Sequence, residues 1–420
     1  MSSHGVCSIL IAASFSSPFA YAQQANVETS AHESVALPQI PLPSGSFGIG
    51  RIGLQLVDAS RADDYDPKQR RELMVYLWYP TSKSPTAKGQ YFPGAAQMDA
   101  MPEIHSLMNR DFGSAWAGIV SGEISSHAID RAPIAGSQTP FPVVTFSHGL
   151  GSTGFQYTVL IEDLVSHGYA VASIEHTYTA NVVWFPDGRV VTLHHDAPPA
   201  GLTRAEHSKL GANSISMGIN EGAADIRFVI DRLTQLNQDT RQFALAGAID
   251  LKRLAAMGHS AGAEFAARAC QQDSRIRACV DLDGAMVPVA ALPVFDEDRT
   301  MRQPLLFLEA YHPESRMGGM PDQLADFKKM EQQQFQELRP GSYQVVLHSP
   351  DIAHPSFGDV PLLFHGQEGF PETPIVLHNL DLITQFVRAF LDKTLLDEKQ
   401  PLFDGRASPV PDAIVTAYGH

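Results

Sequence analysis

A serine flanked by two glycines is the pattern in this chain with the most direct chemical meaning. The sequence GHSAG at residues 258–262 follows a short apolar run and precedes the helix-compatible residues Ala263 to Arg268. A serine on a sharp strand-to-helix turn needs small neighbours, because the adjoining chain passes close to it. The amide end of the following helix also favours negative charge beside Ser260. The pattern predicts a nucleophilic hydroxyl at the carboxyl end of a strand.

A nucleophilic serine needs a base, and the chain order serine, acid, histidine is typical of hydrolases built on a mostly parallel sheet. His354 lies between the last predicted strand, Tyr343 to Leu347, and an amphipathic closing helix. Position alone leaves His348 and His365 as alternatives. We select His354 as the candidate base, which takes the proton from Ser260 and returns it to the leaving alcohol.

Two carboxylates compete for the position of the acid. Asp283 follows the predicted strand Ala278 to Leu282 and precedes Gly284, so that a turn can direct its carboxylate towards an imidazole. Glu309, at the end of the next predicted strand, is the alternative, because many members of this fold take the acid from there. We favour Asp283, which would fix the tautomer of His354 and stabilise the imidazolium.

An oxyanion at this serine requires two backbone amide donors. The first is the amide of Ala261, and the second lies in the loop SHGLGS at residues 147–152, where the glycines let the backbone turn inward. Leu150 is the predicted second donor. His148 and His259 flank these elements, and we interpret both as packing or hydrogen-bonding residues rather than proton carriers.

Strand-like and helical runs place these residues on one sheet. Gly50 to Val57 and Leu73 to Tyr79 predict an antiparallel hairpin, and strands separated by helices follow from Pro142 onwards. Such alternation predicts a mostly parallel, twisted sheet with helices on both faces, the α/β-hydrolase fold. Thr177 to Gly211 is predicted to be a loop or hairpin insertion. Thr81 to Gln138 forms either a lid over the site or a subdomain packed on the scaffold.

Composition narrows the function classes. The chain has 420 residues and a formal net charge of −16, which argues against a nucleic-acid partner or attraction to an anionic membrane.

Met1 to Ala22 is predicted to be a secretory signal peptide, too short to span a bilayer, although no Lys or Arg lies near its start. We therefore expect a secreted or periplasmic protein. Gln23 to Ser46 is predicted to be a flexible leader, residues 47–398 one domain, and residues 399–420 a peripheral tail.

The remaining cysteines and the paired histidines are weaker signals. Cys270 and Cys279 form either a disulfide or two buried thiols, and neither has a partner at zinc spacing. His194, His195 and Asp196 could suggest a metal, but consecutive residues of a strand point in opposite directions. A surface loop is the prediction for these three residues.

Five motifs together resemble the platelet-activating-factor acetylhydrolase family. They are FSHGLG at 146–151, SHGYAVASIEH at 166–176, GHSAG at 258–262, DLDGAMVP at 281–288 and IAHPSF at 352–357. Carried over position by position, the resemblance implies the nucleophile at Ser260, the acid at Asp283, the base at His354 and oxyanion amides at Leu150 and Ala261. It implies a calcium-independent serine ester hydrolase without cofactor or metal, acting on short-acyl or lipid-like esters.

The chain departs from the family pattern beside the serine. Ala261 stands where an aromatic residue often follows the nucleophile, and Ala263 where a second glycine often lies. A smaller side chain at 261 would widen the acyl pocket, so strict acetyl preference is not carried over. A polyester- or cutin-type hydrolase and a broad carboxylesterase are the enzymatic alternatives, and a catalytically silent binding protein is the alternative of another class. The sequence makes no prediction of oligomeric state.

Overall fold

The computed structural model describes residues 37–63, 65–82, 88–137, 139–194, 201–241, 243–284, 301–311, 329, 332–405 and 410–419. The predicted signal peptide, His195, Asp196 and the end of the DLDGAMVP motif lie outside these residues. Within the described ranges, no helix is both long and apolar enough to cross a membrane.

A ten-stranded sheet forms the centre of the fold. Its strands are β1 (Gly48–Ala62), β2 (Arg70–Thr81), β5 (Ala128–Asp130), β6 (Phe141–Ser147), β7 (Ala170–Glu175), β10 (Ile249–His259), β11 (Ala278–Leu282), β12 (Leu305–Ala310), β13 (Ser342–Leu347) and β14 (Ala413–Tyr418). Two short hairpins lie outside it, β3 (Gly89–Gln90) with β4 (Ser125–Ser126), and β8 (Val182–Trp184) with β9 (Val190–Thr192).

The strand order is β14-β13-β12-β11-β10-β6-β7-β2-β1-β5. The strands from β13 to β7 in this order pair in parallel, whereas β1 and β2 form the predicted antiparallel hairpin. Because the carboxyl ends of parallel strands meet at one edge of a sheet, the loops after β6, β10, β11 and β12 lie together. The predicted α/β-hydrolase fold is confirmed.

Helices cover both faces of the sheet, as predicted. They are α1 (Ala95–Asp99), α2 (Pro102–Phe112), α3 (Ala115–Ser121), α4 (Thr158–Ser166), α5 (Arg204–Gln238), α6 (Ala261–Gln272), α7 (Val360–Leu363), α8 (Thr373–Leu395) and α9 (Pro401–Asp404). Side chains alternate along β6, so Val144 belongs to the core cluster that includes α4 and α8, while Val143 belongs to the one that includes α5 and α6. The sheet is therefore buried on both sides, and the site lies at its edge.

The long helix α5 begins earlier than the sequence pattern indicated. It starts at Arg204, inside the segment 177–211 that was predicted to be an insertion, although the hairpin β8–β9 does lie in that segment. Thr203 caps the helix: its hydroxyl accepts from the amide of Glu206 at 3.3 Å, and the Glu206 carboxylate accepts from the amide of Thr203 at 2.8 Å. This capping box satisfies two amides that would otherwise lack partners.

The folded domain extends further along the chain, in both directions, than the sequence predicted. The prediction of a flexible leader does not hold for residues 37–46, since Ile40 is buried and the Ser44 hydroxyl donates to Asp163 at 2.6 Å. The prediction of a peripheral tail is likewise corrected, because β14 pairs antiparallel with β13 along six residues. The added strand covers backbone groups of β13 that an edge strand would leave unpaired.

The described part of the excursion from Thr81 to Gln138 packs on the scaffold. The ring of Phe92 lies 4.4 Å from that of Phe155, and Trp116 is fully buried. The hydroxyl of Tyr91 donates to the Asp359 carboxylate at 2.9 Å, close to the segment that carries His354. These contacts favour the packed subdomain over the lid.

Candidate active site

Ser260 lies on a sharp turn between β10 and α6. Its backbone has φ 56° and ψ −126°, a conformation that a residue with a side chain adopts only at a cost. A Cβ on Gly258 would lie 2.1 Å from the carbonyl oxygen of Gly262, and a Cβ on Gly262 would lie 2.2 Å from that of Ser147. Only glycine fits at both positions, which explains the spacing G-x-S-x-G physically. The turn leaves Ser260 partly exposed.

His354 and Asp283 are in direct contact at the same edge. The Nδ1 atom of His354 lies 2.6 Å from Oδ2 of Asp283, with side-chain exposures of 29% and 3%. The other carboxylate oxygen accepts the amide of Ala310 at 2.9 Å, and the Asp283 amide donates to Leu308 at 2.8 Å. Because an ionised carboxylate can only accept, Nδ1 carries the proton and Nε2 of His354 is left as the basic nitrogen.

The alternatives named from the sequence have other partners. The Glu309 carboxylate accepts from the side-chain amide of Gln344 at 2.7 Å. The His348 ring stacks on Tyr311 with centroids 4.4 Å apart, and His365 hydrogen-bonds to Thr373. The structure thus brings Asp283 to His354 and supports it as the candidate acid.

The loop after β6 passes directly beside the serine. A Cβ on Gly149 would lie 3.3 Å from Cβ of Ser260, so the loop approaches to van der Waals distance. Leu150 follows immediately. The amide of the next residue, Gly151, donates a hydrogen bond to the carbonyl of Thr179 at 3.0 Å. The amide of Ala261 is the first of α6, among those that a helix leaves without an internal acceptor. The loop that contains Leu150 and the first turn of α6 therefore both lie next to Ser260.

A buried polar network, which the sequence analysis did not predict, supports this loop from below. His176 joins Ser147 through Nε2 at 2.9 Å and Asp225 through Nδ1 at 2.9 Å, and all three are buried. The guanidinium groups of Arg71 and Arg61 lie 2.6 and 2.8 Å from the same aspartate. Burial acts to raise the pKa of Asp225, but Arg71 and His176 hold it well below its ordinary value. The residues are too far apart in sequence for any spacing rule to connect them.

A second carboxyl lies close to the turn at Ser260. Glu264 lies in the first turn of α6, where burial, and secondly the charge of Asp281, raise its pKa well above the ordinary value. The shift favours the neutral carboxyl, which adds no negative charge next to the position where an oxyanion would form. The helix end at Ser260 thus keeps its positive potential.

Cys270 and Cys279 are joined in a disulfide with Cα atoms 6.5 Å apart. This settles the choice left by the sequence between a disulfide and two thiols. In the portion of the chain that the structure describes, no cluster of three or more His, Cys, Asp or Glu side chains is arranged to hold a metal ion.

Comparison with known proteins places these motifs in a family. The family model of platelet-activating factor acetylhydrolase, isoform II, matches residues 33–185 and 207–361. The platelet-activating factor acetylhydrolase of Cavia porcellus is 25% identical over 295 residues, which cover 66% of this chain and 61% of that protein. A probable 1-alkyl-2-acetylglycerophosphocholine esterase of Arthroderma benhamiae is 24% identical over 392 residues, 89% of this chain and 93% of the relative.

A solved structure is similar over nearly its whole length. The ferulic acid esterase from Streptomyces cinnamoneus superposes with a TM-score of 0.67 at 27% identity, covering 91% of this chain and 99% of that one. The chain spans less than two thirds of the Cavia porcellus protein but nearly all of this esterase. The fold, the order of the motifs and the family match agree: the chain belongs to the platelet-activating factor acetylhydrolase, isoform II, family.

Proposed function

We propose that this protein is a serine carboxylic-ester hydrolase that works through an acyl-enzyme on short-acyl or lipid-like esters. The observation that carries the proposal is the 2.6 Å contact between His354 and Asp283, on loops at the sheet edge where Ser260 occupies its strained turn. A hydroxyl, an oriented imidazole and a buried carboxylate are the three groups that acyl transfer requires.

The geometry suggests the following sequence of steps. The Ser260 hydroxyl oxygen attacks the ester carbonyl carbon while its proton passes to Nε2 of His354. The tetrahedral oxyanion is stabilised by the amides of Leu150 and Ala261, and its collapse breaks the bond to the alcohol, which takes the proton from His354. Water then repeats the sequence on the acyl-enzyme and releases the acid. Asp283 stays ionised and holds the imidazole throughout.

The relatives indicate the substrate class. The fungal relative is described as an esterase of 1-alkyl-2-acetylglycerophosphocholine, which favours a glycerophospholipid with a short second acyl chain. The similarity to a ferulic acid esterase supports a second candidate, an ester of an aromatic acid. Because Ala261 presents only a methyl group beside the serine, we expect acyl groups longer than acetyl to be accepted.

A substrate panel and a covalent label test the proposal. The panel contains aryl esters of increasing acyl length, a phospholipid with a short second chain, a ferulate ester and a polyester film. We expect hydrolysis of at least the short aryl esters, and labelling of Ser260 by an organophosphonate. The variant Ser260→Ala should lose both, with kcat reduced by roughly 10⁴-fold or more.

The matched control is Ser121→Ala, which removes an exposed serine hydroxyl on α3 that donates to Gly118. It should keep full activity and full labelling. Absence of hydrolysis on the whole panel, with no label on Ser260, would refute the proposal and favour a binding protein. Hydrolysis confined to the ferulate ester or the film would favour the aromatic-ester or polyester alternative.

We also propose that the protein is exported. The disulfide between Cys270 and Cys279 is typical of oxidising compartments, and the sequence of Met1 to Ala22 fits a cleaved leader. N-terminal sequencing of protein from the medium or periplasm tests this, and a mature protein that still begins at Met1 in the cytosol would contradict it.

A further inference from the structure

A hydrogen-bond path runs beneath the reactive groups. It leads from the loop at residues 147–152, here called the oxyanion loop, to the segment that carries His354. The amide of Gly149 donates to the hydroxyl oxygen of Tyr157 at 3.2 Å. That hydroxyl lies 2.8 Å from Nδ1 of His259, and Nε2 of His259 lies 3.1 Å from the carbonyl oxygen of His354. Tyr157 and His259 are buried, with exposures of 3% and 6%.

The direction of every bond in this path is fixed. The carbonyl oxygen of His354 can only accept, so Nε2 of His259 must carry a proton. Burial, together with the nearby His354, lowers the pKa of His259 to about 3, and the neutral ring has one proton to give. Its Nδ1 atom therefore accepts from Tyr157, whose oxygen in turn accepts from Gly149. One arrangement of protons satisfies all three bonds.

Packing holds the same two segments together. The His259 ring lies 4.5 Å from the His354 ring and is stacked on Phe357 at 5.7 Å. The amide of Asp359 donates to the carbonyl of Gln156 at 2.6 Å. The segment that carries Gln156 and Tyr157 and the segment after His354 are thus joined beside the path, which limits how far they can move apart.

We infer that Tyr157 and His259 are positioning residues that set the spacing between the oxyanion amide of Leu150 and the imidazole of His354. The inference rests on the proposed function. Tyr157 accepts from the amide of Gly149, the residue before Leu150, and His259 donates to the backbone carbonyl of the base itself. Acyl transfer needs both groups in place in one transition state, and errors of about 1 Å are costly. Neither side chain exchanges a proton with substrate in this role.

The test combines single variants with a double-mutant cycle. Tyr157→Phe removes the hydroxyl and keeps the ring that packs on Phe146. His259→Gln keeps a side-chain N–H donor but loses the two ring nitrogens that bind Tyr157 and His354. We expect each to lower kcat on a short aryl ester about tenfold, which equals about 1.4 kcal/mol, with KM within about twofold. The double variant should be little worse than either single one, because both break the same path.

Tyr79→Phe is the matched control. Tyr79 is as buried as Tyr157, with exposures of 2% and 3%, and its hydroxyl donates to the carbonyl of Ala132 at 2.7 Å, in a region of β2 away from the site. This variant should lose a similar amount of thermal stability and keep its kcat. If Tyr157→Phe keeps wild-type kcat, or if both tyrosine variants lose kcat equally, the positioning role is refuted. Additive losses in the double variant would refute the coupling.

Nitrogen NMR of the labelled imidazoles gives a readout that does not need activity. We expect His259 to be neutral with its proton on Nε2, and the Nδ1 resonance to shift in Tyr157→Phe as its hydrogen bond is lost. A proton on Nδ1 of His259 would overturn the inference even in an active enzyme. If the wild-type protein hydrolyses no ester, the proposed function fails, and the spectrum still decides whether the path exists.

Discussion

The choice between two carboxylates gives the sharpest test of the site. In Asp283→Asn, the remaining oxygen should still accept the amide of Ala310, so the new NH₂ group faces Nδ1 of His354. Two donors then oppose each other. The imidazole can remove this unfavourable contact by moving its proton to Nε2. That nitrogen must accept from Ser260.

The structure sets the size of the effect. Keeping the productive tautomer forfeits a hydrogen bond to a charged group, about 1.5–3 kcal/mol, and leaves a buried donor unpaired, about 1–3 kcal/mol. Together these amount to about 2.5–6 kcal/mol, or roughly two to four powers of ten in kcat. Loss of the negative charge that stabilises the imidazolium favours the upper end.

The assay is kcat on a short aryl ester, with thermal unfolding to show that each variant is folded. Glu309→Gln is the paired variant; it keeps an oxygen that can accept from Gln344, and kcat should stay within about twofold of wild type. If Glu309→Gln loses several powers of ten while Asp283→Asn remains active, Asp283 is not the acid and the tautomer reasoning is wrong.

Two further predictions concern stability. Burial raises the pKa of Glu175 to about 8, despite a hydrogen bond from Gly154, so the folded state keeps a proton that the unfolded chain releases near 4.5. Stability should fall as pH rises from about 4.5 to 8, and Glu175→Gln should flatten that fall in urea unfolding curves; an unchanged slope would contradict it. Replacing Cys270 and Cys279 by alanine should lower the free energy of unfolding by about 2–3 kcal/mol, and a reductant should destabilise the wild type but not this variant. An unfolding midpoint unaffected by reductant in both would refute this.

The sequence predicted those parts of the fold that local patterns determine. Apolar runs predicted β11 and β13 to within one residue, and Gly258 and Gly262 indicated the turn because close backbone contacts leave room for nothing larger. The order of strands along the chain then brought Asp283 and His354 to one edge. Their contact follows from topology, since carboxyl ends of parallel strands converge.

What the sequence did not predict depends on contacts between distant segments. Asp225 lies in the apolar pattern of α5 and meets Arg71 and His176 only in the folded chain. The strand β14 has an apolar, β-branched sequence but follows the closing helix, so nothing local shows that it returns to the sheet edge. The start of α5 could have been predicted, because Thr203 and Glu206 have the spacing of a capping box.

The network below the oxyanion loop has one more implication. Ser147, His176 and Asp225 repeat, bond for bond, the hydroxyl–imidazole–carboxylate series expected of a hydrolase, yet solvent reaches none of them. Burial lowers the pKa of His176 despite its bond to Asp225, and the charges of Arg71 and Arg61 lower it further. Ser147, His176 and Asp225 would therefore satisfy a search for such a series by hydrogen bonds alone. Access to solvent and nearby amide donors, rather than the triangle of side chains, distinguish a reactive serine from a structural one.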